Sequence, residues 1–147
     1  MTLVGEYEPS PSDWVREQVE EFEASNGERA NILRGHPEWP IVVITSKGAK
    51  SGKLRKNPVM RVEHDGVYAA IASKGGAPDN PTWYHNFVAY PEVELQDGSA
   101  KHTYRVRIAE GAERAEWWDR AVRQYAPYAE YQQHTDREIP VFLLERV

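Results

Sequence analysis

Residues 57–74 read Asn-Pro-Val-Met-Arg-Val-Glu-His-Asp-Gly-Val-Tyr-Ala-Ala-Ile-Ala-Ser-Lys, and this stretch decides the fold class. Two β-type runs, Asn57–His64 and Val67–Lys74, flank Asp65-Gly66, a dipeptide that tolerates the positive φ angles of a tight hairpin turn. Antiparallel β structure follows. Outward from there the same texture recurs at Ile41–Ser46, at Val93–Gln96 and His102–Ala109 across Asp97-Gly98, and at Ile139–Glu145 as a buried closing strand. Helices punctuate the pattern. Ser10 or Ser12 caps one that begins near Asp13, carries Trp14, Val15, Val19 and Phe22 on one face and ends at Asn26-Gly27. Asn80-Pro81 opens a short helix to Tyr90, and Glu110–Gln124 repeats Ala112, Ala115, Trp118 and Val122 at helical spacing. The fold expected is α+β, a mainly antiparallel small barrel with an N-terminal helix and short crossing helices.

The 147 residues suit one domain spanning 1–147, with an amphipathic helical segment over 1–27 and the barrel over 40–147. Hydrophobic residues at 40% and charged residues at 28%, without repeats or low-complexity tracts, describe a globular chain. There is no cysteine, so disulfides and thiolate chemistry are excluded and a reducing, cytoplasmic setting fits. Met1–Ser12 lacks the basic and apolar regions of a signal peptide, and no run approaches the roughly 20 apolar residues of a membrane span. The net charge of -5 argues against nucleic acid as a partner. For the N-terminal helix, docking on the domain is the plain reading; weak peripheral attachment to the inner face of the cell membrane is the sharper one, opposed by its acidic polar face. The oligomeric state is left open.

Against this acidic background, 47–56 (Lys-Gly-Ala-Lys-Ser-Gly-Lys-Leu-Arg-Lys) holds five positive charges and two glycines. A Gly/Ser/Lys connection between strands offers backbone N–H groups and cations to an anion; the alternative is a solvated turn. A second cluster, Ser73-Lys74-Gly75-Gly76 running to Asn80-Pro81, follows a strand, and two adjacent glycines let a backbone approach a ligand closely. It reads equally as a plain loop with a helix cap. The third is Tyr125, Tyr128 and Tyr131, three phenols at spacing three in a segment that Pro127 kinks away from the preceding helix. They form either a pocket wall for a planar molecule or an aromatic seam. Phenol O–H groups suit the reduction of a carbonyl, quinone or nitro group, where charge develops on an oxygen. No Ser-His-Asp series, HExxH or carboxylate pair near a histidine is present, and His36, His64, His85, His102 and His134 are scattered, so no metal is expected.

The order Ser46–Pro58, then Ser73–Gly76 to Asn80-Pro81-Thr82-Trp83-Tyr84-His85-Asn86, then the tyrosines and the Ile-Pro-Val-Phe-Leu-Leu-Glu ending, resembles the deazaflavin-dependent nitroreductases of actinobacteria. The resemblance covers about 40–147. It implies a split β-barrel that binds reduced coenzyme F-420, a flavin analogue with a phosphodiester and oligoglutamate tail, and passes hydride to a quinone, nitro or activated-alkene acceptor. By motif position Lys47, Lys50, Ser51, Gly52 and Arg55 would hold the anionic tail, while Asn57, Pro58, Val59 and Met60 would line the ring. Ser73, Lys74, Gly75 and Gly76 would contact the deazaflavin head, with Trp83 and Asn86 supporting that wall. Tyr125, Tyr128 and Tyr131 would face the acceptor together with Ser73, and Tyr128 is the preferred orienting or proton-donating group. Met60 departs from relatives that carry an aromatic residue there. The N-terminal helix matches least; its Trp14, with Tyr7, stands for the substrate-access side. A non-catalytic carrier of the same coenzyme and an FMN-binding split-barrel reductase are the alternatives.

Overall fold

The computed structural model describes residues 3–147. Met1 and Thr2, part of the segment read above as lacking a signal peptide, lie outside the described residues. The elements run α1 (Asp13–Ala24), β1 (Ile32–Leu33), β2 (His36–Lys47), β3 (Leu54–Met60), β4 (Val62–His64), β5 (Val67–Ile71), α2 (Thr82–Ala89), β6 (Glu92–Asp97), β7 (Ala100–Ile108), α3 (Gly111–Gln124), α4 (Pro127–Gln133) and β8 (Val141–Arg146), with a 3-10 turn at Lys74–Gly76. No helix among the described residues is long and apolar enough to cross a membrane.

Every strand pairing is antiparallel, in the order β1-β2-β6-β7-β8-β5-β4, and β3 adds to β2. The turn at Asp65-Gly66 has φ of 51° and 81°, as a primed two-residue hairpin requires. Because β3 pairs with β2 and its near-continuation β4 pairs with β5, one length of chain serves both ends of the sheet and brings it round into a split barrel. Sequence periodicity ran these two strands together as 57–64; they part at Arg61. Its amide bonds to the Pro40 carbonyl, and its guanidinium pairs with Asp97 at 2.8 Å, which also accepts from the Tyr68 hydroxyl at 2.5 Å. Pro58 is tolerated inside β3 because β3 is an edge strand, where a missing N–H costs no ladder bond.

The barrel interior is filled by Val42, Ile44, Phe87, Val93, Leu95, Phe142 and Leu144. A second cluster, with Trp117, Ala121, Tyr128, Ile139 and Val141, joins α3 and α4 to the outside of β5 and β8. Helix α1 buries Val19 and Phe22 against Ile41 and Val43; each such side chain removed from water is worth about 1.5–3 kcal/mol. Val15 packs beside them, whereas Trp14 of the same face is 52% exposed. Glu17, Glu20 and Glu21 stay exposed as well.

Several local expectations are corrected. The Ser12 side chain makes no cap hydrogen bond; Ser10 Oγ accepts from the Ser12 amide instead. Asn80 does not cap α2, because its Oδ1 is taken by Arg137. Helix α3 turns Trp117 and Ala121 inward and leaves Ala112 and Ala115 exposed, since Trp117 packs with Tyr128 and Ile139 while Trp118 lies half-exposed under Arg114. The chain before Pro40, not read as β, forms β1 and the first third of β2, a hairpin arm with the positive-φ Gly35 at its tip.

Candidate active site

Between β3, the loop after β5 and helix α4 lies a cavity of about 680 Å³. Strand β3 contributes Asn57, Pro58, Val59 and Met60, all partly exposed because no other strand among the described residues pairs with this part of the edge. The following loop contributes Ser73, Lys74 and Gly75, and α2 contributes Trp83. Tyr125, Tyr128 and Tyr131 form a third wall, and Trp14, Val15 and Gln18 of α1 close the site. Eleven of the residues singled out for coenzyme or acceptor contact therefore meet in one place, although the three segments are far apart in sequence.

The tyrosines stand where Pro127 starts a new helix after Tyr125 ends α3. Tyr125 and Tyr131 join their hydroxyls at 2.9 Å, and the rings of Tyr125 and Tyr128 meet edge-on at 4.8 Å. Tyr128 is 5% exposed, and its hydroxyl has no hydrogen-bond partner among the described residues. Wall and seam are thus combined: the ring bodies pack on Trp118 and Ile139 while the site keeps one phenol unspent.

Burial, and then the neighbouring phenols, push Tyr128 well above the ordinary value; burial and the Tyr131 hydrogen bond do the same for Tyr125. Both remain neutral donors at working pH. Tyr68 and Tyr104 are raised as well, chiefly by burial. The sign of the stability effect follows directly. A raised phenol keeps its proton in the folded state, so above about pH 10 the folded protein binds more protons than the unfolded chain. The phenols' contribution to stability should be constant below that value and be lost as pH rises through it. Urea midpoints taken from about pH 8 to about pH 11 measure this, and a profile flat to the alkaline end would contradict the burial of these phenols.

The loop after β5 makes an uncommon turn: Lys74, Gly75 and Gly76 have φ of 46°, 61° and 81° in succession. A left-handed lysine is unusual and two glycines are what permit the rest. Lys74 spends its charge on Asp79 at 3.0 Å and holds that carboxyl below its usual range. Gly76 stands behind the cavity, where a Cβ would come within 2.6 Å of the Tyr131 carbonyl oxygen. The amides of Lys74 and Gly75 and the Ser73 hydroxyl have no partner among the described residues.

The basic stretch is arranged differently from the expectation of free amides. The turn uses its own backbone: Gly48 N–H donates to the Lys53 carbonyl, Gly52 N–H to the Gly48 carbonyl and Lys53 N–H to Ser51 Oγ. Ala49 N–H donates to Asn86 Oδ1 at 2.9 Å, so Asn86 is not part of the cavity lining but ties α2 to this turn. Within the turn 48–53 the amides of Lys50 and Ser51 have no partner among the described residues, so any grip on an anion is largely a matter of side chains. Of these, Arg55 pairs with Glu8 at 3.1 Å, Lys53 lies 3.9 Å from the same carboxylate, and Lys56 pairs with Glu23. Lys47 sits over the Tyr90 ring. Lys50 is exposed and has no ion pair among the described residues. Arg55 shares the face of Asn57 and Val59, because strand residues two apart point the same way, so the stretch leads along β3 into the cavity. Tyr7 bridges to Leu54 away from the cavity.

Two contributors had no signal in the sequence. Trp39 on the unforeseen hairpin meets Tyr125 edge-on at 4.8 Å, and Leu33 of the same hairpin lines the cavity. Arg137, a single arginine between α4 and β8, bonds to the loop after β5. Its partners are 57 to 65 residues away and mostly backbone, so no spacing rule marks it.

Comparison with known proteins agrees with this geometry. The family described as F420H(2)-dependent quinone reductase matches residues 14–146, which includes α1. The F420H(2)-dependent quinone reductase Rv1261c of Mycobacterium tuberculosis is 30% identical over 128 residues, covering 85% of this chain and 85% of that protein. Among solved structures, an F420-H2 dependent reductase, FDR-A, is 55% identical with a TM-score of 0.69 and covers 72% of this chain and 94% of its own. Another, described as a domain-swapped dimer, is 49% identical with a TM-score of 0.72 and covers 92% of this chain and all of its own. The split barrel, the cavity on its β3 edge and these relatives lead to one conclusion: the chain belongs to the F420H(2)-dependent quinone reductases, oxidoreductases that pass hydride from reduced coenzyme F-420 to a quinone.

Proposed function

We propose that the ring of reduced F-420 sits in the cavity between β3 and the tyrosines, that its tail runs along β3 to Lys50, and that Tyr128 receives the acceptor oxygen. The observation that carries this is the unspent Tyr128 hydroxyl in a cavity whose remaining walls are largely apolar. The donor set suits the coenzyme: two unpartnered amides and the Ser73 hydroxyl answer the polar edge of a planar ring, and Val59 and Met60 answer its face. Reduced F-420, when bound, supplies a hydride from a ring carbon. The residues of this chain exclude water, orient the acceptor and hold its oxygen. With its pKa raised, Tyr128 is a reluctant acid but a persistent donor, so its contribution is a hydrogen bond to charge developing on that oxygen. Nitro groups and activated alkenes that place an oxygen there belong to the same acceptor class. An aqueous, cytoplasmic enzyme suits α1, whose Val19 and Phe22 are spent on β2 and whose outer carboxylates repel anionic lipid.

Lys50→Ala should weaken F-420 binding about tenfold, flatten its salt dependence and leave kcat within about twofold. Glu8→Gln, which frees Arg55 and Lys53, should tighten binding and steepen the salt dependence. Fluorescence titration of F-420 and FMN over a salt series measures both. Tighter binding of FMN would reverse the cofactor assignment, and binding without turnover on any quinone would make the protein a carrier.

A further inference from the structure

We propose that Arg137 is a positioning residue that sets the direction of the Ser73–Lys74 peptide and thereby presents the Lys74 N–H as an oriented donor to the coenzyme ring. The inference rests on the reading of the cavity as the coenzyme site. The Arg137 guanidinium donates to four oxygens of one loop: the carbonyls of Ala72 at 3.1 Å, Ser73 at 2.7 Å and Ala77 at 2.9 Å, and Asn80 Oδ1 at 2.8 Å. No carboxylate pairs with it among the described residues. A guanidinium is ordinarily matched to a carboxylate or phosphate; here three of its four bonds hold backbone carbonyls and the fourth holds the Asn80 side chain.

The consequence follows from peptide geometry. No described peptide bond is cis, and in a planar trans unit the C=O and N–H point in opposite directions. The Ser73 carbonyl accepts from Arg137 at 2.7 Å and from the Gly76 N–H at 2.9 Å, so it is held on that side by both; the Lys74 N–H of the same unit points away from Arg137 and has no acceptor among the described residues. The next unit behaves alike, its Lys74 carbonyl accepting from the Ala77 amide and its Gly75 N–H left unpartnered. Lys74 and Gly75 both line the cavity. A left-handed Lys74, at φ 46°, persists only where its surroundings over-determine it, and four bonds from one side chain do so. The same segment is tied to the tyrosine helix, because Gln132 donates to the Arg137 carbonyl at 2.7 Å and accepts from the Ile139 amide at 2.9 Å. Loop and phenols therefore share one anchor.

The test uses the full chain with Arg137→Ala and Arg137→Lys, and as probe a deazaflavin lacking the phosphodiester tail. Arg137→Ala should weaken the ring probe about tenfold, and added guanidinium ion should restore it. Arg137→Lys keeps a charge but cannot span four acceptors, so a comparable loss is expected in a variant whose circular dichroism is unchanged. The coenzyme-free crystal structure of Arg137→Ala should have the Ser73–Lys74 peptide turned. Wild-type affinity in either folded variant, an unturned peptide, or a loss that guanidinium does not repair would each overturn the positioning role. Failure of the underlying site reading looks different: the wild-type protein itself would leave the ring probe unbound.

Discussion

Tyr128→Phe should lower kcat for quinone reduction by about 100-fold while the dissociation constant of F-420 stays within about twofold. The change removes one oxygen and keeps the ring that packs on Trp118 and Ile139, so the wall survives and only the donor is lost. An interaction made mainly as charge develops affects kcat and kcat/KM together, whereas uniform binding would appear in KM. Tyr125→Phe and Tyr131→Phe should each cost less, because their hydroxyls are tied to one another at 2.9 Å, one donating and the other accepting. Single-turnover oxidation of bound, reduced F-420 by a quinone isolates the step. If Tyr128→Phe keeps the wild-type rate while Tyr131→Phe loses it, the roles assigned to the two phenols are exchanged.

Gly76→Ala should be the most damaging small substitution near the site. At φ 81° a Cβ is disfavoured, and here it would also meet the Tyr131 carbonyl oxygen at 2.6 Å and the Tyr131 Cα at 3.1 Å. Both are backbone atoms of a helix and cannot swing aside as a side-chain tip would. A loss of about 2–4 kcal/mol of unfolding free energy is expected, or roughly 10 °C in Tm for a domain of this size. Gly75→Ala supplies the comparison: its φ is 61°, but a Cβ there has nothing within 4 Å, so only the conformational cost of about 1–2 kcal/mol applies. Because the clash pushes the Ser73–Gly75 loop off the helix bearing Tyr128 and Tyr131, Gly76→Ala should also reduce kcat/KM about tenfold or more. Equal stability of the two variants would mean that loop and helix are not in register as described.

Where the sequence was legible, the signal was local. Asp65-Gly66 determines a primed turn through the φ values its two residues tolerate, and the apolar run after it makes β5 a strand buried on both faces, with Tyr68 and Ala70 in one cluster and Ala69 and Ile71 in the other. The glycines at 75 and 76 and Pro127 likewise act through their own backbones. The grouping of 57–60, 73–75 and the tyrosines around one ligand came from the order of motifs, and the cavity brings those segments together. The failures share a different cause. A run of five cations looked free to meet an anion, yet Glu8 and Glu23 on separate elements neutralise Arg55, Lys53 and Lys56, and Asn86 claims an amide of the turn. The break at Arg61 depends on Asp97, 36 residues away.

The sequence by itself thus determined an antiparallel barrel and its main turns, because backbone preference and side-chain period act over neighbouring residues, while the coenzyme site was marked by the resemblance of its motifs to a known family. Only the tertiary structure decided how those groups are partnered: that Lys50 and the Tyr128 hydroxyl have no partner among the described residues, that Arg55 meets Glu8, and that the Ser73 carbonyl faces Arg137. Those outcomes depend on hydrogen bonds and ion pairs between residues dozens of positions apart, whose energies are decided by distance in space.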